Sequence, residues 1–195
     1  VPVDRLVVGL GNPGAEYART RHNVGAEVVE LLARRHGGKL HGSKGRARSD
    51  EVRIDSRRVA LAIPLTYMND SGEAVAGLAR RLGVEPEGIV IVHDELDLPP
   101  ATLRLKAGGG LAGHNGLRSI KQHLHSDEFL RVRIGVGKPP TKERGADHVL
   151  SRVSKRDREQ MDVTIEEAAD AVELIVTSGI DAAMNRYNTR AADAD

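Results

Sequence analysis

The chain has 195 residues, 29 Lys and Arg against 28 Asp and Glu, 8 His, 21 Gly and no Cys. That length suits a single domain with enough core to fold unaided. A hydrophobic share of 39% beside 29% charged excludes a disordered chain, no apolar run nears the ~20 residues of a membrane span, and the missing thiols exclude disulfides, thiolate metal centres and a Cys nucleophile.

No charged leader followed by a long apolar stretch opens the sequence, so a cytoplasmic protein with no membrane partner is expected. The aromatic residues are only Tyr17, Tyr67, Phe129 and Tyr187, too few for a base-stacking platform. The near-zero net charge hides blocks: residues 101–158 carry 13 basic and 5 acidic side chains, and residues 159–195 carry 2 and 9. Such blocks either form a basic face suited to RNA or interleave in space as a solvated surface.

In chain order, Arg5–Leu10 reads as a buried strand, and the apolar spacing of Val24, Val28, Leu31 and Leu32 predicts a helix over 23–35 with Thr20 or Asn23 as its cap. Residues 39–49 read as a basic, glycine-rich loop. Glu51–Ile54 and Arg58–Ile63 form a hairpin about Asp55-Ser56-Arg57. A helix over 70–81, capped by Asp70 or Ser71 with Glu73 in its first turn, closes at Gly83. Strands follow at 88–92 and 102–107, then a Gly108–Gly110 link, a helix over 115–124, a strand over 132–136 and a loop at Lys138-Pro-Pro-Thr. A long amphipathic helix with an acidic face spans 154–176, and a short one spans 180–190. Alternating strands and helices predict an α/β fold: one domain over 1–190, a twisted mixed sheet, mainly parallel, with helices on both faces. Residues 191–195 read as a frayed tail.

Sites in such sheets lie beyond the carboxyl ends of the strands. The first strand runs into Gly11-Asn12, the strand ending at Ile63 into Tyr67-Met68-Asn69, and the strand ending at Val92 into His93-Asp94-Glu95. If these strands are parallel neighbours, Asn12, Asn69 and Asp94 share one rim. The Gly-rich loop then delivers His114-Asn115 at a helix start, where free N–H groups favour phosphate.

His22 is a candidate general base, because an imidazole is mostly neutral near pH 7 and a carboxylate can fix its tautomer. Asp94 is the economical choice of orienting carboxylate. A metal at His93-Asp94-Glu95 is the alternative, but His93 and Asp94 are adjacent and no second His at ligand spacing completes a shell. Gly9-Leu-Gly11-Asn-Pro-Gly14 matches a dinucleotide fingerprint, yet Pro13-Gly14 favours a turn and no acidic strand end follows some ~20 residues on. Lys106 and Arg133, on strands near the Gly-rich loop, read either as a phosphate clamp or as exposed strand charges.

Gly9-Leu-Gly-Asn-Pro-Gly with Tyr17, Thr20-Arg-His-Asn23 with Gly25, Thr66-Tyr-Met-Asn69 with Ser71-Gly72, His93-Asp-Glu-Leu-Asp97, Gly113-His-Asn-Gly-Leu117 and Phe129-Leu-Arg-Val-Arg-Ile-Gly135 together resemble bacterial peptidyl-tRNA hydrolase. The resemblance runs from about Leu6 to Asn185. It implies a metal-free, cofactor-free esterase, monomeric, that releases the peptide from peptidyl-tRNA and recycles tRNA from aborted translation. It further implies His22 as the base that activates water, Asp94 as its orienter, and Asn12 as the residue that holds the substrate and distinguishes blocked from unblocked aminoacyl ends. Tyr17, Tyr67, Asn69 and Asn115 would bind the tRNA 3′ end and peptide backbone, an amide such as Asn12 pairing bidentately with the first peptide bond. Met68 and His114 would line the cleft, and Lys106 and Arg133 would grip the 5′-phosphate of the acceptor stem. Two positions depart from the family pattern: Ala112 stands where glycine is common, and Tyr67 where Phe is common. The rivals are a non-catalytic RNA-binding relative, which predicts tRNA binding without hydrolysis, and a nicotinamide-dependent enzyme, which predicts NAD(P) binding.

Overall fold

Backbone closeness sets the centre of the molecule. A side chain at Gly9 would overlap the Gly25 carbonyl, and one at Gly25 would overlap the Val92 carbonyl. The start of a helix is thereby seated directly on the ends of two strands. Leu10 N–H donates to the Val92 carbonyl at 3.0 Å and Ala26 N–H to the Leu10 carbonyl at 3.1 Å. Gly9, the first glycine of the fingerprint-like run, thus serves helix-to-strand contact.

The computed structural model describes residues 2–42, 46–111, 113–139, 141 and 144–192. Its elements in order are β1 Arg5–Gly9, α1 Val24–Arg35, β2 Ala47–Ile54, β3 Arg57–Pro64, α2 Ser71–Leu82, β4 Ile89–Glu95, β5 Leu103–Ala107, α3 Asn115–Leu124, β6 Leu130–Gly135, α4 Gly145–Leu150, α5 Lys155–Ser178 and α6 Ile180–Ala192. The sheet order is β2-β3-β1-β4-β6-β5. β3, β1, β4 and β6 run parallel, and the edge strands β2 and β5 are antiparallel to their neighbours.

The two-residue period of β1 and β4 divides the core. Val7, Val90 and Val92 pack with Val28 and Leu32 of α1 and Ile165 and Val172 of α5. Leu6, Val8, Ile89 and Ile91 pack with Val75 and Leu78 of α2 and Leu117 and Ile120 of α3. Strands apolar on both sides are what a doubly covered parallel sheet requires. The α/β reading with helices on both faces therefore holds. Among the described residues no helix is long and apolar enough to cross a membrane.

Several boundaries differ from the sequence reading, each for a local reason. β2 begins at Ala47, inside the expected basic loop, because Ala47–Asp50 pair along the sheet edge opposite Pro64–Leu61 without needing an apolar face. The expected caps are absent: Thr20 turns its hydroxyl to the Tyr17 carbonyl, Asn23 its amide to the Asn12 main chain, and Ser71 its hydroxyl back to the Met68 carbonyl, while Asp70 makes no side-chain cap bond. Gly83 does close α2 in the left-handed conformation, φ 68°. α4 went unseen because six residues show no apolar period. α6 runs through Ala192, two residues into the expected tail, and residues 193–195 lie outside the described residues, as does Ala112.

Charge blocks interleave rather than segregate at α5. Arg35 of α1 meets Asp170 at 2.8 Å and Glu173 at 3.1 Å, besides Glu166. At the far edge, the Asn188 side chain of α6 accepts from Leu105 N–H at 2.8 Å and donates to the Leu105 carbonyl at 2.9 Å.

Candidate active site

β1, β3 and β4 are parallel neighbours, the condition on which their carboxyl ends share one rim. His22 lies in the single turn before α1, Asp94 near the end of β4, and His114 immediately before α3. The His22, Asp94 and His114 donor atoms lie within 4.8 Å of one another.

His22 Nδ1 stands 2.9 Å from both Asp94 oxygens. The nitrogen facing a carboxylate carries the proton, which leaves His22 Nε2 with a lone pair. His114 Nε2 lies 2.9 Å from Asp94 Oδ1. Its Nδ1 accepts from the N–H groups of Gly116 at 3.1 Å and Leu117 at 3.3 Å. Those two donors fix His114 as the Nε2–H tautomer, so His114 both caps α3 and donates to Asp94. Asp94 is 2% exposed. Burial pushes its carboxyl up, but His22 and His114 outweigh burial and hold it well below the usual carboxylate range.

The same triad is the one donor set among the described residues that could hold a cation. Its chemistry argues against that use: His114 has no free nitrogen, and both Asp94 oxygens already face imidazoles. His93 does not join the set. It is buried, its Nδ1 donates to the Asp94 carbonyl at 2.8 Å, and its ring meets His114 edge-on at 5.1 Å. Burial, then the neighbouring His114, push its imidazole well below the ordinary range, so it is neutral.

A cavity of about 210 Å³ is lined by His22, Asp94, Glu95, His114, Asn115 and the α4 residues Gly145, Ala146 and Val149. α4 is thus a wall of the cleft that sequence reasoning missed. Arg21 holds it there, donating to the His148 carbonyl and to Ser151 Oγ, each at 3.1 Å. Asn12 lines a larger groove of about 840 Å³ with Gly11, Pro13 and residues of α1 and α5. The larger groove is lined by the paired Glu27 and Arg158 and by no imidazole, whereas the smaller cavity is lined by His22, Asp94 and His114.

Asn12 is fixed from behind. Asn23 Oδ1 accepts from Asn12 N–H at 2.8 Å, and Asn23 Nδ2 donates to the Asn12 carbonyl at 2.9 Å. Asn12 Oδ1 in turn accepts from Met68 N–H at 2.7 Å. That bond occupies one lone pair of the amide oxygen and leaves Nδ2 as a free donor. Met68 acts through its main chain: its side chain is 3% exposed and lies in the α2–α3 core instead of lining the cleft. Asn69 and Asn115 are exposed, Tyr17 is half-buried, and Tyr67 is 60% exposed, so the extra hydroxyl of Tyr67 meets solvent. Lys106 and Arg133 sit on β5 and β6, and Arg133 Nε donates to the buried Glu95 at 3.0 Å. Asn23, His93 and Glu95 are the support that sequence reasoning missed. Each signals only by its neighbour: Asn23 beside His22, and His93 and Glu95 on either side of Asp94.

Comparison with known proteins matches the chain to a family. A family model described as Peptidyl-tRNA hydrolase matches residues 6–195. A relative of that name from Rhodococcus erythropolis is 53% identical over 184 residues, 94% of this chain and 97% of its own length. One from Cutibacterium acnes is 49% identical, covering 94% and 98%. The crystal structure of peptidyl-tRNA hydrolase from Acinetobacter baumannii superposes with a TM-score of 0.90 at 45% identity, covering 94% of each chain.

Proposed function

The chain belongs to the peptidyl-tRNA hydrolase family and is a hydrolase of that kind; from that premise we propose that His22 is its general base. The observation that carries this reading is the His22 Nδ1 contact to both Asp94 oxygens, with Nε2 left to accept a proton beside the cavity.

A water at Nε2 loses its proton to His22 as its oxygen attacks the ester carbonyl that joins the peptide to the terminal ribose. Asp94, held ionised, stabilises the imidazolium that forms. One positioned base is typically worth ~10²–10⁴-fold. His114 contributes by pinning Asp94 through a proton it cannot relocate. The tetrahedral intermediate collapses, the imidazolium proton goes to the departing ribose oxygen, and the ester C–O bond breaks. An ester is labile enough that this needs no further electrophile than amide or backbone N–H donors, each ~10²–10³-fold. Asn69 or a backbone N–H at the start of α3 supplies that donor.

Asn12 Nδ2 donates to the carbonyl of the first peptide bond, which a free aminoacyl end lacks. Tyr17, Tyr67 and Asn115 hold the 3′ end, and Lys106 and Arg133 take the 5′-phosphate of the acceptor stem. All these groups come from one chain, so the reading needs no second copy.

The test is hydrolysis of N-acetyl-aminoacyl-tRNA beside the unblocked aminoacyl-tRNA, with a chelator present. Release of the blocked substrate alone, abolished in His22→Ala, is expected. Release that survives His22→Ala would remove the base, and tRNA binding without release would make the chain an RNA-binding relative.

A further inference from the structure

The β5–β6 ladder carries an electrostatic conflict. Its register sets Lys106 opposite Arg131 and Arg104 opposite Arg133. Like charges directly opposite each other weaken an antiparallel pair. One member of this group is also buried: Arg131 is 1% exposed, and its Nε and Nη1 find no hydrogen-bond partner among the described residues. A buried cation without a partner is costly, and an arginine cannot escape by losing its proton. Nearby negative charge is shared: Glu95, the buried carboxylate on this side, spends Oε1 on Arg133, and Asp127, which also attracts Arg131, lies 3.8 Å from Lys121. His93 is buried there with an unpartnered Nε2 and is neutral.

Lys106 completes the arrangement. Gly109, at φ 90°, leaves the space its side chain needs: a Cβ there would overlap Lys106 Cε and stand 2.6 Å from Nζ. The glycine loop thus holds the ammonium near the strand from which it springs. Lys106, Arg104, Arg131 and Arg133 against Glu95 and Asp127 leave two positive charges without a counterpart. A terminal phosphate monoester carries about −1.5 to −2 at neutral pH, whereas an internal phosphodiester carries one charge.

We propose that Arg131 is the third cation of a site for a terminal phosphate monoester, supplying charge from beneath Lys106 and Arg133. This rests on the reading of Lys106 and Arg133 as the phosphate-binding pair and adds the residue that makes the site selective for a dianion. Arg131 acts through its field at the sheet floor, while the two flanking side chains make the outer contacts.

The experiment compares kcat/KM for N-acetyl-aminoacyl-tRNA with and without its 5′-phosphate, in the wild type, Arg131→Met and Arg131→Lys. The expected result is a preference for the phosphorylated substrate that shrinks about 10-fold or more in Arg131→Met, the effect of a unit charge several ångströms away at an effective dielectric near ~20, with partial recovery in Arg131→Lys. A melting series with inorganic phosphate, at ionic strength matched by chloride, runs alongside. Phosphate is expected to raise the wild-type Tm more than that of Arg131→Met. Without phosphate, Arg131→Met is expected to melt no lower than wild type, because an uncompensated buried charge has been removed. An unchanged substrate preference in Arg131→Met overturns the proposal, as does a phosphate-free Tm many degrees below wild type. Lys106→Ala and Arg133→Ala separate the two readings. Loss of preference in those variants with full preference in Arg131→Met removes Arg131 alone. No 5′-phosphate preference in the wild type, or full preference in all three variants, removes the phosphate-binding pair as well.

Discussion

Asn23 holds the main chain of Asn12 at both its N–H and its carbonyl, with the two bonds at 2.8 and 2.9 Å. Asn12 is therefore presented by a side chain eleven residues away, next to the proposed base. Asn23 is 8% exposed, so Asn23→Ala leaves two backbone groups short of partners. Both groups are only part-buried, so water makes up part of the loss and the two together cost about 1–3 kcal/mol. Chemical denaturation of Asn23→Ala should show a loss in that range, and turnover of blocked substrate should fall because Asn12 loses its fixed direction. Asn23→Asp should restore only the bond to the Asn12 N–H.

Asp94 is joined to two imidazoles, and its variants should reveal which of them does chemistry. Asp94→Asn should lower kcat by about 10²–10⁴-fold, since an amide neither orients His22 in the same tautomer nor stabilises its cation. His114→Ala should cost far less activity, about 10–100-fold by analogy with residues that orient a reacting ligand from behind. It should also lower stability by about 1 kcal/mol, because the N-cap of α3 is lost. Equal kinetic losses in the two variants would contradict this division.

His93 makes stability depend on pH in a defined direction. Its folded-state affinity for a proton is depressed by burial, then by His114, while the unfolded chain titrates near ~6.5. The unfolded state thus binds the extra proton first, so stability present above ~6.5 declines as pH falls below it, by up to about 1.4 kcal/mol per pH unit. Asp94, with its depressed carboxyl, adds a second loss below ~4, as pH falls toward its folded value. Tm measured from pH 8 to 5 should slope in the wild type and flatten in His93→Leu.

Gly25 tests the seat of α1. Its Cβ would overlap the Val92 carbonyl, and backbone cannot step aside as a flexible side chain can. Gly25→Ala should destabilise by about 1–3 kcal/mol or more, as overpacking does. Gly77, on the open side of α2 with nothing within 4 Å, is the control. Gly77→Ala should be neutral or stabilising by up to about 1 kcal/mol. Thermal melts of the pair decide it.

The His22–Asp94 pair was legible because it needs only two facts: where strands end, and that parallel neighbours share a rim. The apolar runs at 6–8 and 89–92 mark these strands in the sequence, although β4 continues past its run through His93, Asp94 and Glu95. His114 as a partner of Asp94 was not legible, because its tautomer is set by N–H groups at the start of α3, a feature of three-dimensional capping. Arg131 drew no reading of its own for a different reason. In sequence it alternates with Val132 and Arg133 as a solvent-facing strand charge would, and only the packing of its neighbours buries it. α4 escaped because a six-residue helix is held by Arg21 from a distant segment instead of by its own pattern.

The Asn188 amide occupies the Leu105 peptide as a neighbouring strand would. β5 is an edge, and an open edge peptide is a template on which another chain can lay a strand. A chain ending before Asn188 would therefore lose more than a helix: it would acquire an adhesive border beside the cationic ladder, and self-association in place of unfolding would be the first sign of the truncation.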